Sequence, residues 1–347
     1  MQRRLILDSG AYSVWAQGQT VDLDEYIDFC AAYPAIDYYV ALDVIPGQPN
    51  VKRSLRNAEE SCQASWLNYK EMIAYLPMEK VIPVFHQHDS FRWLERYIKS
   101  GAQYIGISPA NDRTTTQKLA WLRQVRPHVF FPSGEARVKT HGFAVTSFDL
   151  MRYWDWYSVD SASWKVAAGW GVIYVPRQTR GKWDYSRSPY ALTVSPRTTH
   201  KKQRQTSYEA LSPHVKEIVD RYLAESEMPL GKWAVGKRSG DRVDGREILW
   251  FDRKKDTVIR VEEEGVATMH VHRYIANVRF MQQAEKVLPL KHLYLAGAPL
   301  PPVHREVELR FGKRLLSYLV VGTGKRPPLA FRDHYHEREL VCEQSKP

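Results

Sequence analysis

The chain has 347 residues, 44% of them hydrophobic and 12% aromatic, which is enough for a large core and excludes an intrinsically disordered protein. A formal net charge of +11 favours a polyanionic partner, nucleic acid before a membrane surface, because no basic amphipathic anchor accompanies it; a merely solubilising lysine surface is the plainer alternative. Cys30, Cys62 and Cys342 are too few and too scattered for a disulfide framework or a thiolate zinc cluster and fit a reducing compartment.

The opening MQRRLILDSG passes from two arginines into a strand without a signal-peptide core, and no apolar run nears the roughly 20 residues that span a bilayer. A soluble, cytoplasmic protein with no membrane partner is expected.

Short apolar runs then alternate with helical stretches. The expected strands are Leu5 to Leu7, Tyr38 to Leu42, Val81 to Phe85, Tyr104 to Ile107, Val129 to Phe131, Phe143 to Val145, Tyr157 to Val159 and Val172 to Val175. Eight such strands separated by helices predict a (β/α)8 TIM barrel over residues 1–176, with the active site where the strands end. Most of these strands end on a polar or ionisable residue, among them Asp8, Asp43, His86, Ser108 and Asp160.

Helices are expected over Asp22 to Tyr33, with acidic residues at its start, over Arg56 to Tyr75, over Phe91 to Lys99, and over Thr116 to Val125 with Pro127 beyond its end. Between Lys139 and Trp164 the spacing predicts a strand (His141 to Thr146), a helix with a Thr/Ser cap, and a strand that delivers Asp160. An Asp in that place serves either as a nucleophile or as the cap of the next helix.

Beyond Pro176 the texture changes, and residues 177–347 read as an α+β C-terminal extension. Arg177 to Arg204 is basic and interleaved with Trp183, Tyr185 and Tyr190, as phosphate contacts with base stacking require, or as a solvated loop would also allow. Arg177, Arg180, Lys182, Arg197, Lys201, Lys202 and Arg204 are its candidate nucleic-acid contacts, and Arg273 and Asn277 are further phosphate candidates. Ser207 to Leu223 reads as helix. ILWFDRK, DTVIRVEEE and GVATMHVHRY read as strands, Tyr274 to Val287 and Val303 to Leu319 as helices.

Two carboxylates at strand ends, Asp8 and Asp160, allow one nucleophile and one general acid/base on a shared substrate. Gly10 lets the backbone pass close to a ligand, and Tyr12 either lays its ring on a flat heterocycle or packs in the core. A metal-dependent barrel hydrolase built on His86, His88, His141, Asp8 and Asp160 is an alternative from another reaction class.

DSGAY at 8 to 12, HGFAVTSFDLMRY and YSVDS resemble motifs of the tRNA-guanine transglycosylase superfamily. LDSGAYS, VIPVFHQ, KTHGFAVTS and YSVDSASW together are similar to its DNA-modifying branch, the DpdA-like 7-deazaguanine DNA transglycosylases of phages and bacteria.

The resemblance covers Leu5 to Val175. It implies that guanine in DNA, or in tRNA as the alternative, is exchanged for a 7-deazapurine base of the preQ0 or preQ1 type. Asp160 is then the nucleophile at C1′ and Asp8 the proton carrier, with no cofactor. It further implies that Asp43 reads the base edge, His86 stands where a glutamine is usual, Tyr12 stacks on the base, and Gly106, Ser108, His141 and Gly142 line the pocket. The cysteine-histidine zinc site of the tRNA enzymes is absent, since no cysteine lies between Cys62 and Cys342.

Overall fold

The computed structural model describes residues 4–46, 55–196, 207–237, 248–252, 257–296 and 319–322. Two compact units emerge, one of Met1–Ala162 with Leu288–Gly324 and one containing Ser163–Val287. The single division expected near residue 176 is therefore replaced by an inserted unit, and the first unit recovers its last strands from beyond residue 287.

In chain order the strands are β1 (Leu5–Leu7), β2 (Tyr38–Val40), β3 (Val81–Ile82), β4 (Val84–His86), β5 (Tyr104–Ser108), β6 (Lys139–Gly142), β7 (Trp156–Ser161) and β8 (Val172–Val175). There follow β9 (Arg177–Thr179), β10 (Lys182–Asp184), β11 (Tyr190–Thr193), β12 (Lys232–Lys237), β13 (Ile248–Asp252), β14 (Thr257–Glu263), β15 (Leu290–Ala296) and β16 (Leu319–Gly322).

The first unit is mixed α/β, organised on a sheet of order β3-β2-β1-β16-β15-β7-β6-β5-β4. Five neighbours, β15 through β4, pair in parallel, as do β1, β2 and β3. β16 is antiparallel to both β1 and β15, so these eight parallel strands share a direction and their C-terminal ends lie along one edge. The order begins and ends on the two halves of Val81–His86, which Pro83 separates because it has no N–H for the ladder.

Strands covered on both faces read as unbroken apolar runs, and Leu5, Ile6 and Leu7 are all buried. The flanking helices supply the cover. Leu23–Ala32, capped by Asp22 through the Glu25 amide at 3.0 Å, buries Tyr26, Ile27, Phe29 and Cys30. Leu55–Tyr75 and Phe91–Lys99 meet through Trp66, Tyr69 and Tyr97. Thr115–Val129 starts at a reciprocal Thr114/Gln117 capping box. That helix runs through Pro127, contrary to expectation; the proline sits in the last turn, where its missing N–H costs one bond and the chain has only two residues left to bend.

Three expected strands differ. Val129 ends a helix, and only Phe130 makes a bridge, to Ala136. Phe143 to Val145 is a turn after β6, with Ala144 at φ 50°. β8 belongs to the second unit and pairs antiparallel with β11. A four-residue apolar run fits any sheet equally well, so VIYV carried no information about its partner.

The second unit contains the β9–β10 hairpin, the β8–β11 pair and the three-stranded sheet β12-β14-β13. Arg180 and Gly181, at φ 52° and 77°, form the two-residue turn of the hairpin. Among the described residues its helices include Ser163–Gly169, Pro213–Glu225 and His270–Glu285. Ile173, Leu192, Val219, Tyr222, Val266 and Ala276 are among the residues of its core. GVATMHVHRY, expected as a strand, is a turn through Thr268 and then the start of a helix at His270. Of Val303 to Leu319 only Leu319 lies within the described residues, and it opens β16. No helix among the described residues is long and apolar enough to cross a membrane.

Candidate active site

The C-terminal edge of the first unit's sheet gathers the ionisable residues. Asp8 follows β1, Asp43 follows β2, His86 ends β4, Ser108 ends β5, and Asp160 is the penultimate residue of β7. Register ties them to rows: Gly106, His141 and Ser158 face one another across β5, β6 and β7, and His86 pairs with Ser108.

Asp8 is the most perturbed acid. Burial, then the charges of Asp160 and Asp43, raise its carboxyl from the ordinary 3.8 to about 7, while the amides of Gly10 and Ser9 offset part of that. Gly10 adopts φ 73° to turn the chain directly after Asp8, a conformation that suits glycine.

Asp160 is held at two points. Its Oδ1 accepts the Ala144 amide at 2.7 Å and lies 3.5 Å from His141 Nε2. His141 is 1% exposed, and its Nδ1 meets the Ser158 hydroxyl, which in turn meets the Tyr104 hydroxyl. A buried polar chain thus runs from the strand-end carboxylate back along the sheet.

His86 lies between two carboxylates, with Nε2 3.0 Å from Asp43 and Nδ1 3.2 Å from Asp89. Burial disfavours the charged ring, yet Asp89 and Asp43 outweigh it and raise His86 to about 10. The ring is therefore an imidazolium at neutral pH, with both nitrogens engaged by carboxylates. Ser9 Oγ donates to the other oxygen of Asp43 at 3.4 Å.

Gly106 leaves space that a ring fills: a Cβ there would stand 2.2 Å from Phe143 Cε2. At Gly142 a Cβ would meet Val145 Cγ2 at 2.7 Å. Both glycines thus set how closely the β6–turn segment packs on its neighbours. Tyr12 is 57% exposed and touches Trp15 at 5.8 Å between centroids on a short helix.

Asp89, Ser158, Tyr104 and the Ala144 amide were missed from sequence. Ser158 was legible, since it lies two before Asp160 on one strand and so shares its face. Asp89, three after His86, was legible only as a turn residue.

Among the described residues no three His, Cys, Asp or Glu side chains group as a metal site. His270 and His272, within the GVATMHVHRY segment expected as a strand, lie on the first turn of a helix.

The basic candidates lie in the second unit. Arg177 donates from Nε to the Ser188 carbonyl at 2.9 Å and stacks on Tyr190 at 4.4 Å. Arg180 lies in the exposed hairpin turn and Lys182 directly follows it. Trp183 and Tyr185 are taken up by packing, on Tyr222 and Phe280 respectively. Arg197, Lys201, Lys202 and Arg204 lie outside the described residues.

Arg273 and Asn277 are buried structural ties, a correction to their expected role at phosphate. Arg273 Nε donates to the Ala168 carbonyl at 2.7 Å, and Asn277 Nδ2 donates to the carbonyls of Trp164 at 3.0 Å and Val172 at 3.1 Å. A buried main chain needs such partners, and both side chains lie on the inner face of their helix.

Comparison with protein families, curated proteins and solved structures finds no match to this chain.

Proposed function

We propose that the first unit is a closed (β/α)8-type barrel and that it exchanges guanine in a nucleic acid, DNA by preference, for a 7-deazapurine base. Closure is supported by the sheet order, which starts and finishes on the two halves of Val81–His86. The observation that carries the chemistry is Asp8 itself: burial and the charges of Asp160 and Asp43 raise its carboxyl to about 7, as a proton carrier beside a strand-end carboxylate requires.

In this reading Asp160 attacks C1′ of the target nucleotide. The glycosidic C–N bond breaks, Asp8 gives its proton to the departing guanine, and an ester joins Asp160 to the sugar. The incoming deazapurine loses its N–H proton to Asp8 and attacks C1′, which frees Asp160. The His141 ring and the Ala144 amide orient the nucleophile. Asp43, held by His86 and Ser9, faces the base edge, and Tyr12 lies beside the site as an exposed ring.

The net charge of +11 suits a polyanionic substrate. Incubating the protein with radiolabelled guanine and separate DNA and tRNA preparations tests the reading. Label entering DNA supports it, label entering tRNA alone moves the substrate assignment, and label in neither defeats it.

A further inference from the structure

The N-terminal ends of the same parallel strands carry the opposite charge. Arg4 precedes β1, Tyr38 opens β2, Lys139 opens β6, Tyr157 is second in β7, and Lys291 and His292 are second and third in β15. Arg4 Nη1 donates to the Tyr157 hydroxyl at 2.7 Å and lies 3.1 Å from His292 Nε2. Lys139 Nζ stands 4.8 Å and Lys291 Nζ 5.7 Å from the centre of the same Tyr157 ring.

Three cations thus converge on one phenol, and among the described residues none of them forms an ion pair with a carboxylate. Asp37, whose charge acts on Tyr38 and Tyr294, is an acid near this cluster, and its Oδ2 is already bonded to the Leu5 amide at 2.8 Å. Like charges gathered without a counter-ion repel, and an anion relieves that repulsion.

Two neighbours register the field. Burial, then Arg4, Lys291 and Lys139, keep His292 below its ordinary value. For Tyr157, burial acts upward but is outweighed by hydrogen bonds from Tyr38 and Arg4 and by the charge of Lys139, so its phenol is lowered. The charges of Tyr38, Arg4 and Tyr157 also act on the Tyr294 hydroxyl, which is buried and has no hydrogen-bond partner among the described residues.

We propose that Arg4, Lys139, Lys291 and Tyr157 form a phosphate-binding site at the N-terminal edge of the sheet, separate from the carboxylate cluster at the C-terminal edge. A phosphate group has the right charge for two ammonium groups and a guanidinium, and it comes either from free phosphate or pyrophosphate or from a polynucleotide backbone. The site does not depend on base exchange.

The test is calorimetric titration of the full chain with inorganic phosphate, pyrophosphate and a short single-stranded oligodeoxynucleotide. Pyrophosphate is expected to bind the wild type, and Lys139→Ala/Lys291→Ala, both exposed positions, should lose at least about tenfold in affinity, a loss of about 1.4 kcal/mol. Lys139→Arg/Lys291→Arg should retain it, and Asp160→Ala should bind like the wild type. Competition between oligonucleotide and pyrophosphate assigns the backbone as the source; pyrophosphate binding without competition assigns the free ion. Absence of pyrophosphate binding, or equal binding by the double alanine variant, overturns the proposal. So does a wild type that binds no anion while Tyr157, followed by phenolate absorbance against Tyr157→Phe, ionises and so neutralises the cluster itself.

Discussion

The Nε2 atom of His141 lies 3.5 Å from Oδ1 of Asp160, and the other ring nitrogen is committed to Ser158. That arrangement fixes the imidazole from behind and sets it against the carboxylate. His141→Ala is expected to lower kcat of base exchange about 10- to 100-fold with a smaller change in KM, as loss of a positioned reacting group does. His141→Gln, which retains a polar side chain at the carboxylate, should recover part of kcat. A variant whose kcat and KM are both unchanged would remove His141 from the site.

Asp8 links activity to stability. Its folded value, about 7, is raised above the ordinary 3.8, so between those limits the folded state binds a proton that the unfolded state has lost. Stability therefore falls as pH rises from about 4 to about 7, by on the order of 4 kcal/mol, and levels off above. Asp8→Asn, with no charge to bury, should be more stable than the wild type at pH 8 yet not at pH 3, while base exchange stops. Thermal unfolding across that range checks it. Parallel curves for the two proteins would contradict the assignment.

His86 acts with the same sign over a higher pH window. Its folded value is raised from 6.5 to about 10, so its contribution is complete below pH 6.5 and disappears as pH rises through 10. His86→Ala leaves Asp43 and Asp89 facing each other unpaired and should cost about 3 kcal/mol at pH 7. An NMR titration should show the His86 ring still protonated at pH 8. A midpoint near 6.5 would refute the paired geometry.

Gly106→Ala places a methyl group where the Phe143 ring lies, with 2.2 Å between Cβ and Cε2. The ring must move, at about 1 to 3 kcal/mol. Combined with Phe143→Ala, the added cost should largely vanish in a double-mutant cycle on unfolding free energies. Additive losses would mean that the ring is not the obstacle.

How far the sequence led depends on which residues carried local information. Asp8, Asp43, His86, Ser108 and Asp160 each follow or end a short apolar run, and the structure brings them to one edge of one sheet. The pairing of His86 with Asp89 was hidden because a His and an Asp three apart read equally well as a turn. VIYV at Val172–Val175 and LKHLYLA at Leu290–Ala296 are both competent strands, and nothing local says that the second, not the first, lies beside β7. The choice is made by the inserted unit, whose core takes Ile173 and Val175. Likewise HVHRY alternates well enough for a strand, but Arg273 and Asn277 satisfy buried carbonyls only from the face of a helix.

The most direct test of the central claim is intact-mass analysis of the protein quenched with denaturant during incubation with substrate DNA. A covalent protein–DNA species that maps to Asp160 after digestion is expected, and it should be absent from Asp160→Ala, which still binds the DNA. An equal yield of that species in Asp160→Ala would contradict the claim.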